Sequence, residues 1–409
     1  MDLVYLDNNA TTRPAPEVVA EMLPFLTEWY GNPSSVHRFG QRARQAVDEA
    51  RARIAGLLGC GETELLFTGG GTESINTAVR GLLAARAPRK KVVTTTVEHS
   101  ATRELNAQLE KEGAQIVQVP VDRSGAIDTD ALRAAITDDV ALVTIMWANN
   151  ETGVLFPVGE VAALCRARKV PYHCDGTQAV GKIPVNVAEL GIDSMSFASH
   201  KFHGPKGAGG LFVRRGLRIR PLLIGGPQER GRRGGTENVP GIVGMGKAAE
   251  LARVAVSAVS SPAEPFLSGQ HVVRVSASTP AGAMDRVAAL RDRLEQGILA
   301  TIPDTHVNGS REHRLPNTTN IGFARLEAEA ILLLLSEQGI CASAGAACSS
   351  GSLEPSPILR AMQIDDKIAH GAIRFSLSRY TTDAEIDRAL AVLPKVIERL
   401  RAVLPVAAT

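Results

Sequence analysis

Glu64-Leu65-Leu66-Phe67-Thr68-Gly69-Gly70-Gly71-Thr72-Glu73-Ser74-Ile75-Asn76 decides the fold class: a short apolar run, a triple-glycine turn, then residues that open a helix. The same alternation continues on both sides. Arg42 to Leu58 repeats apolar residues at helical spacing and stops at Gly59. Lys91 to Thr96 reads as a strand and Ala101 to Glu112 as a helix. Val140 to Trp147 reads as a buried strand, Val158 to Arg168 as a helix, Val170 to Cys174 as a strand, and Met195 to Phe197 as another before the glycine-rich Gly207 to Gly210. Alternating strands and helices imply an α/β fold with a mostly parallel sheet covered on both faces. Ligands of such sheets sit at the carboxyl ends of strands. The residues to inspect therefore lie just after Phe67, Thr96, Trp147 and Cys174, and near Phe197.

The texture changes after Met245. Ser257 to Gly282 is rich in Ser, Pro, Ala and Gly without periodicity and reads as a long loop. A helix resumes near Met284, and an amphipathic helix from Asp383 to Val403 follows later. We expect a large domain over 16–256, an inserted surface loop over 257–283 lying away from the active site, and a smaller α+β domain from 1–15 and 284–409.

Composition narrows the function classes. The 409 residues carry 45 Lys plus Arg against 43 Asp plus Glu, so no basic field gathers nucleic acid. No run of about 18 apolar residues suggests a membrane span, and the first residues carry no basic-then-apolar signal. The expectation is a cytoplasmic protein. The five cysteines include no C-x-x-C pair, so neither a disulfide framework nor an intrinsic metal site is expected.

Three signals then reinforce one another. Thr68 to Asn76 can cradle an anion, because glycines let the backbone approach and a helix start offers free N–H groups; Thr72 and Ser74 add hydroxyls. A tight turn with a capped helix is the plain alternative. Asp175 ends an apolar strand, where a carboxylate needs a positive partner such as a protonated pyridine nitrogen, unless it merely caps the next turn. Lys201, in S-H-K-F-H-G-P-K-G, could lose its proton and form a Schiff base; Lys206 is the rival, and a solvated lysine the alternative. Phosphate cradle, strand-end Asp and Lys match the needs of pyridoxal phosphate. His99 could stack on its ring and move protons, or simply cap a helix; Gln178 could reach the ring hydroxyl. Cys348 sits in the small-residue stretch S-A-G-A-A-C-S-S-G-S, where a thiol can be exposed and ionise.

At these residues the chain resembles the cysteine desulfurases of the NifS/IscS family, in the class V aminotransferase-like group. The resemblance runs through Y-L-D-N-N-A-T-T (Tyr5 to Thr12), Y-G-N-P-S-S (Tyr30 to Ser35), V-E-H (Val97 to His99), A-N-N-E-T-G (Ala148 to Gly153), D-G-T-Q-A-V-G (Asp175 to Gly181) and S-H-K (Ser199 to Lys201). It continues in Q-E-R-G-R-R-G-G-T-E-N (Gln228 to Asn238), C-S-S-G-S-L-E-P-S (Cys348 to Ser356) and I-R-F-S-L-S-R-Y-T (Ile373 to Thr381). Two of these stretches look most like the nitrogen-fixation branch.

The resemblance implies a fold-type-I pyridoxal-phosphate enzyme acting as a homodimer. Lys201 would carry the cofactor, His99 stack on it, Asp175 meet the pyridine nitrogen and Gln178 the ring oxygen. Gly71, Thr72 and His200 would hold the phosphate, with Thr236 reaching in from the other subunit; Ser199 is a further candidate. Asn150 and Arg374 would bind the carboxylate of L-cysteine. The products would be L-alanine and a persulfide on Cys348, handed to an iron–sulfur scaffold protein, with which Cys348 could transiently ligate a cluster. Nitrogenase is one destination the likeness suggests.

The chain departs from the family pattern at Ala198, where a hydroxyl or thiol is usual, and at Ala344 and Ala346, often serines. The rival readings are a selenocysteine lyase or another class V enzyme on the same scaffold, and a non-catalytic sulfur-transfer partner.

Overall fold

The computed structural model describes residues 3–256, 282–344 and 354–403. Cys348, Ala346 and residues 257–281 of the expected insert lie outside them. Gly282 and Ala283, expected as the end of that loop, are instead the N-cap and first residue of the helix Ala283–Thr301.

The main sheet has seven strands: β2 (Leu65–Thr68), β3 (Lys91–Thr95), β4 (Gln115–Val119), β5 (Val140–Met146), β6 (Tyr172–Asp175), β7 (Ser194–Ala198) and β8 (Gly209–Val213). Their order is β2-β8-β7-β6-β5-β3-β4. Strands β4, β3, β5, β6 and β7 pair in parallel, and β8 runs antiparallel between β7 and β2. This is the mostly parallel sheet expected. Val140 to Met146 is apolar at nearly every position because both faces are covered, and all seven residues are buried. The helices Ser100–Lys111, Thr129–Ala135 and Val158–Ala167 make the crossovers.

Strand β8 corrects the reading of Gly207 to Gly210 as no more than a glycine-rich stretch. Gly209 belongs to the sheet, and a Cβ there would stand 2.6 Å from the Gly70 Cα. The strand is glycine-rich so that the triple-glycine turn can lie against it. The helix Arg38–Leu58 ends at Gly59, whose φ of 68° suits glycine, as its sequence expected.

A second sheet is antiparallel, in the order β12 (Ala372–Ser376), β10 (Thr318–Phe323), β9 (Thr305–Val307). It packs with the helix Ala283–Thr301, against which the helix Asp383–Val403 packs in turn. The N-terminal β1 (Val4–Tyr5) pairs in parallel with β11 (Ile340–Cys341). The chain then runs past Ser376 to His200, whose carbonyl accepts the Thr12 N–H at 2.8 Å. One buried apolar cluster extends from Val4 to Ile397 and joins the two sheets.

Candidate active site

Strands β3, β5, β6 and β7 deliver their carboxyl ends to one edge of the sheet. Register places Met146 beside Asp175 and Asp175 beside Ser196. A cavity of about 220 Å³ opens there, lined by Gly71, Thr72, His99, Asn150, Asp175, Gln178, His200 and Lys201 among others. Residues 130 positions apart thus converge because they follow successive parallel strands. The cavity shares Gly71, Thr72 and His200 with a wider mouth of about 480 Å³, which Lys206 lines. Lys206 is exposed, whereas Lys201 reaches the inner cavity, so geometry separates the two lysines.

Each inner residue has a defined set of partners. The Lys201 amine donates to the carbonyls of Asn9 at 2.6 Å and Ala10 at 2.9 Å. Asp175 is buried; its Oδ1 accepts from the Thr177 N–H at 3.0 Å and the Ser196 hydroxyl at 3.1 Å, while Oδ2 enters neither bond. His99 is both things the sequence allowed. It caps the helix Ser100–Lys111, its Nδ1 accepting the Ala101 N–H at 3.1 Å, and it lines the cavity. Burial lowers its pKa against the pull of Asp175. An Nδ1 that accepts a backbone N–H carries no proton, so the neutral ring keeps its hydrogen on Nε2. Burial and the neighbouring Lys201, Lys206 and Lys182 push His200 down to about 4; its Nδ1 bonds the Thr11 hydroxyl at 3.1 Å.

Some expected residues stand elsewhere. Ser74 turns its hydroxyl into the fold, toward Thr68, Gly70 and Gly210, because it faces inward one turn into its helix. Ser199 is fully buried and does not line the cavity; its hydroxyl faces Gly204, where a Cβ would meet it at 1.9 Å. It points away because it follows Ala198, whose side chain does line the cavity. Thr236 is exposed and outside this chain's cavity. Arg374 is 2% exposed and lies behind Asn150, donating to its carbonyl at 2.9 Å and pairing with Asp7 at 2.7 Å.

The donors present fit pyridoxal phosphate. Gly70 and Gly71 leave room at a helix start, and beside them the Thr177 hydroxyl is buried without a partner, 3.2 Å from where a Gly71 Cβ would stand. Asn150 Oδ1 and Arg374 Nε are likewise buried without partners. An anion at the helix start, a cationic ring nitrogen at Asp175 and a carboxylate near Arg374 would complete these groups.

The four described cysteines are poor thiolates. Burial pushes Cys60 up to about 12, and raises Cys165, Cys174 and Cys341 as well. Ser356, which ends the Cys348 motif, donates to the buried Glu151 at 2.6 Å, so the motif rejoins the fold beside Asn150. Sequence reasoning passed over Asn9, Thr177 and Lys182, all of which bond or line this region.

The aminotransferase class-V model matches residues 4–264 and 271–389, breaking inside the expected insert. A protein of Trichormus variabilis named cysteine desulfurase 2 is 51% identical over 99% of this chain and 96% of its own length. The cysteine desulfurase NifS of Azotobacter vinelandii is 49% identical over 98% and 94%. A solved structure described as a NifS-like protein superposes with a TM-score of 0.86 at 36% identity, covering 98% of this chain and all of that one. The chain belongs to the aminotransferase class-V family, and within it to the pyridoxal-phosphate-dependent cysteine desulfurases.

Proposed function

We propose that this chain takes sulfur from L-cysteine, releases L-alanine and carries the sulfur as a persulfide on Cys348. The observation that carries the reading is the meeting of Lys201, Asp175 and His99 in one cavity at the carboxyl edge of a parallel sheet. When bound, pyridoxal phosphate supplies a carbonyl that condenses with amines and a ring that takes up electrons from the substrate α-carbon. Lys201 would hold the cofactor, and its amine would move the substrate α-proton. Asp175 would keep the ring nitrogen protonated, His99 would stack on the ring, and Gln178 would meet the ring oxygen. Gly71, Thr72 and His200 would hold the phosphate, joined by Thr236 of a second subunit. Asn150 and Arg374 orient the substrate carboxylate. The Cys348 thiolate attacks the substrate sulfur; the S–S bond forms as the C–S bond breaks, and the carbon fragment takes a proton to become alanine. The poor acidity of the other described thiols supports that choice of nucleophile.

The same reading covers organisation. Residues 16–256 form the cofactor domain, with 1–15 and 284–409 forming the smaller one. Two copies assemble; the exposure of Thr236 and of Val36 and Ile224, at 94% and 91%, supports a surface covered by a partner. An iron–sulfur scaffold protein in the cytoplasm, including one serving nitrogenase, accepts the sulfur. No described helix is long and apolar enough to cross a membrane. The test is release of sulfide and alanine from L-cysteine with a reductant present. Cys348→Ala should retain the cofactor and bind cysteine but release no sulfide. Intact turnover with persulfide on Cys341 or Cys60 would overturn the assignment.

A further inference from the structure

Lys182 is a lysine with 5% exposure, and none of the roles above uses it. It lies one turn past Gln178. Its amine donates to Gln178 Oε1 at 2.5 Å and to Asn9 Oδ1 at 2.8 Å. Gln178 in turn donates through Nε2 to the Asn9 carbonyl at 3.0 Å, the same oxygen that accepts from Lys201. The two ends of the Gln178 amide are therefore not interchangeable. Flipping it would set its oxygen against the Asn9 carbonyl, two acceptors with no proton between them, and would turn its NH₂ toward the donor on Lys182. One N–H of Nε2 serves Asn9, and the second remains for the cavity that Gln178 lines.

We propose that Lys182 is a positioning residue that fixes the Gln178 amide with its N–H end toward the cavity, so that Gln178 meets the cofactor's ring oxygen as a donor. This rests on Gln178 being the ring-oxygen partner. Both partners of the Lys182 amine, Gln178 Oε1 and Asn9 Oδ1, are acceptors, so it donates to each whether charged or neutral. Burial, reinforced by the positive charges of Lys201 and Arg374, holds Lys182 well below the usual lysine range. A buried amine retained among cations is costly to the fold, and a fixed partner at the site accounts for its presence.

The readouts are the affinity of the cofactor-free protein for pyridoxal phosphate and the pH midpoint of the visible band of the lysine-bound cofactor. A donor at the ring oxygen draws charge from it and weakens its hold on the neighbouring imine proton, so losing the donor raises that midpoint. Gln178→Leu should raise the midpoint; an unchanged one means that Gln178 is not the ring-oxygen partner, which fails the underlying reading and the proposal with it. Lys182→Met should raise it in the same direction and weaken cofactor binding about two- to tenfold, the worth of one neutral hydrogen bond. In the Gln178→Leu background, Lys182→Met should shift it no further. A shift by Gln178→Leu with none by Lys182→Met, or full additivity of the two, overturns the proposal. Lys182→Gln, which keeps a donor, should stay near the wild-type midpoint; if Lys182→Met does not fold, a shift in Lys182→Gln as large as in Gln178→Leu overturns it instead.

Discussion

Thr177 shows how a single side chain can be missed in sequence and matter in the fold. Ala198 stands where the resemblance implies a hydroxyl or thiol, and it lines the cavity without a side-chain donor. The Thr177 hydroxyl stands beside it against the same glycine turn, 3.2 Å from where a Gly71 Cβ would be, buried and without a partner. A buried hydroxyl left alone costs free energy that a bound phosphate would recover. Thr177→Val should therefore weaken pyridoxal phosphate binding to the cofactor-free protein roughly tenfold or more, since a bond to a charged group is worth about 1.5–3 kcal/mol. Ala198→Ser should tighten it about tenfold or less, because the place is already partly served. Both are read by titrating the apoprotein with cofactor, and equal affinity of Thr177→Val and wild type would assign the phosphate to other donors. The contrast with Ser199 and Ser74 is instructive. Both are hydroxyl residues in the right motifs, and both point into the fold, because direction alternates along a strand end and rotates around a helix. Sequence names the residue types near a site more readily than their directions.

At the scale of elements, the carboxyl ends of β3, β5, β6 and β7 were legible because parallel strands buried on both faces write themselves as apolar runs. Strand β8 was less legible, since its glycines serve close approach to the triple-glycine turn and carry no strand signal. The end of β3 also holds Glu98, fully enclosed beside the site. Its Oε1 accepts the Thr95 hydroxyl at 2.7 Å and the Met146 N–H at 3.2 Å, while its Oε2 is buried without a partner. Burial, helped by the charge of Asp175, pushes its pKa from 4.5 up to about 8. A folded pKa above the unfolded one means that the native state binds the extra proton. The stabilisation is complete below the unfolded value and is lost as pH rises through about 8. His173, His200 and His203, each held at about 4 by burial, slope stability the opposite way at acid pH, so the wild type alone mixes the two trends. The difference between wild type and Glu98→Gln isolates the glutamate. Denaturant unfolding of the apoprotein should show the wild type losing stability relative to Glu98→Gln between about pH 5 and 8. Parallel pH curves would mean that Glu98 is ionised in the fold.

Across the whole molecule, the site depends on a segment far from it in sequence. Asn9 is fully buried and follows β1, which pairs with Ile340–Cys341. Its side-chain amide donates to the Asn150 carbonyl at 3.2 Å and the Thr318 hydroxyl at 2.9 Å. Its Oδ1 accepts from Lys182 and, at 3.1 Å, from Asn317. Its carbonyl accepts from Gln178 and Lys201, and its N–H meets the Ser376 hydroxyl at 2.9 Å. One asparagine thus ties residues that follow β5, β6 and β7 to residues of β10 and β12. Nothing in Y-L-D-N-N-A-T-T announces this, because the partners are reached only after both sheets have formed; the resemblance marked the stretch without giving its reason. An apolar side chain at this point would leave Lys182, Asn317, Thr318 and the Asn150 carbonyl each short of a partner inside the fold. Buried polar groups left unmade cost about 1–3 kcal/mol each, and neighbours in one network do not add simply. Asn9→Ala should therefore lower the stability of the apoprotein by on the order of 3 kcal/mol or more, measured by denaturant unfolding without cofactor. Its cofactor affinity should fall as well, because Gln178 and Lys201 lose the fixed carbonyl position they share. An Asn9→Ala protein as stable as wild type, with unaltered cofactor affinity, would show that the two sheets hold the site without this tie.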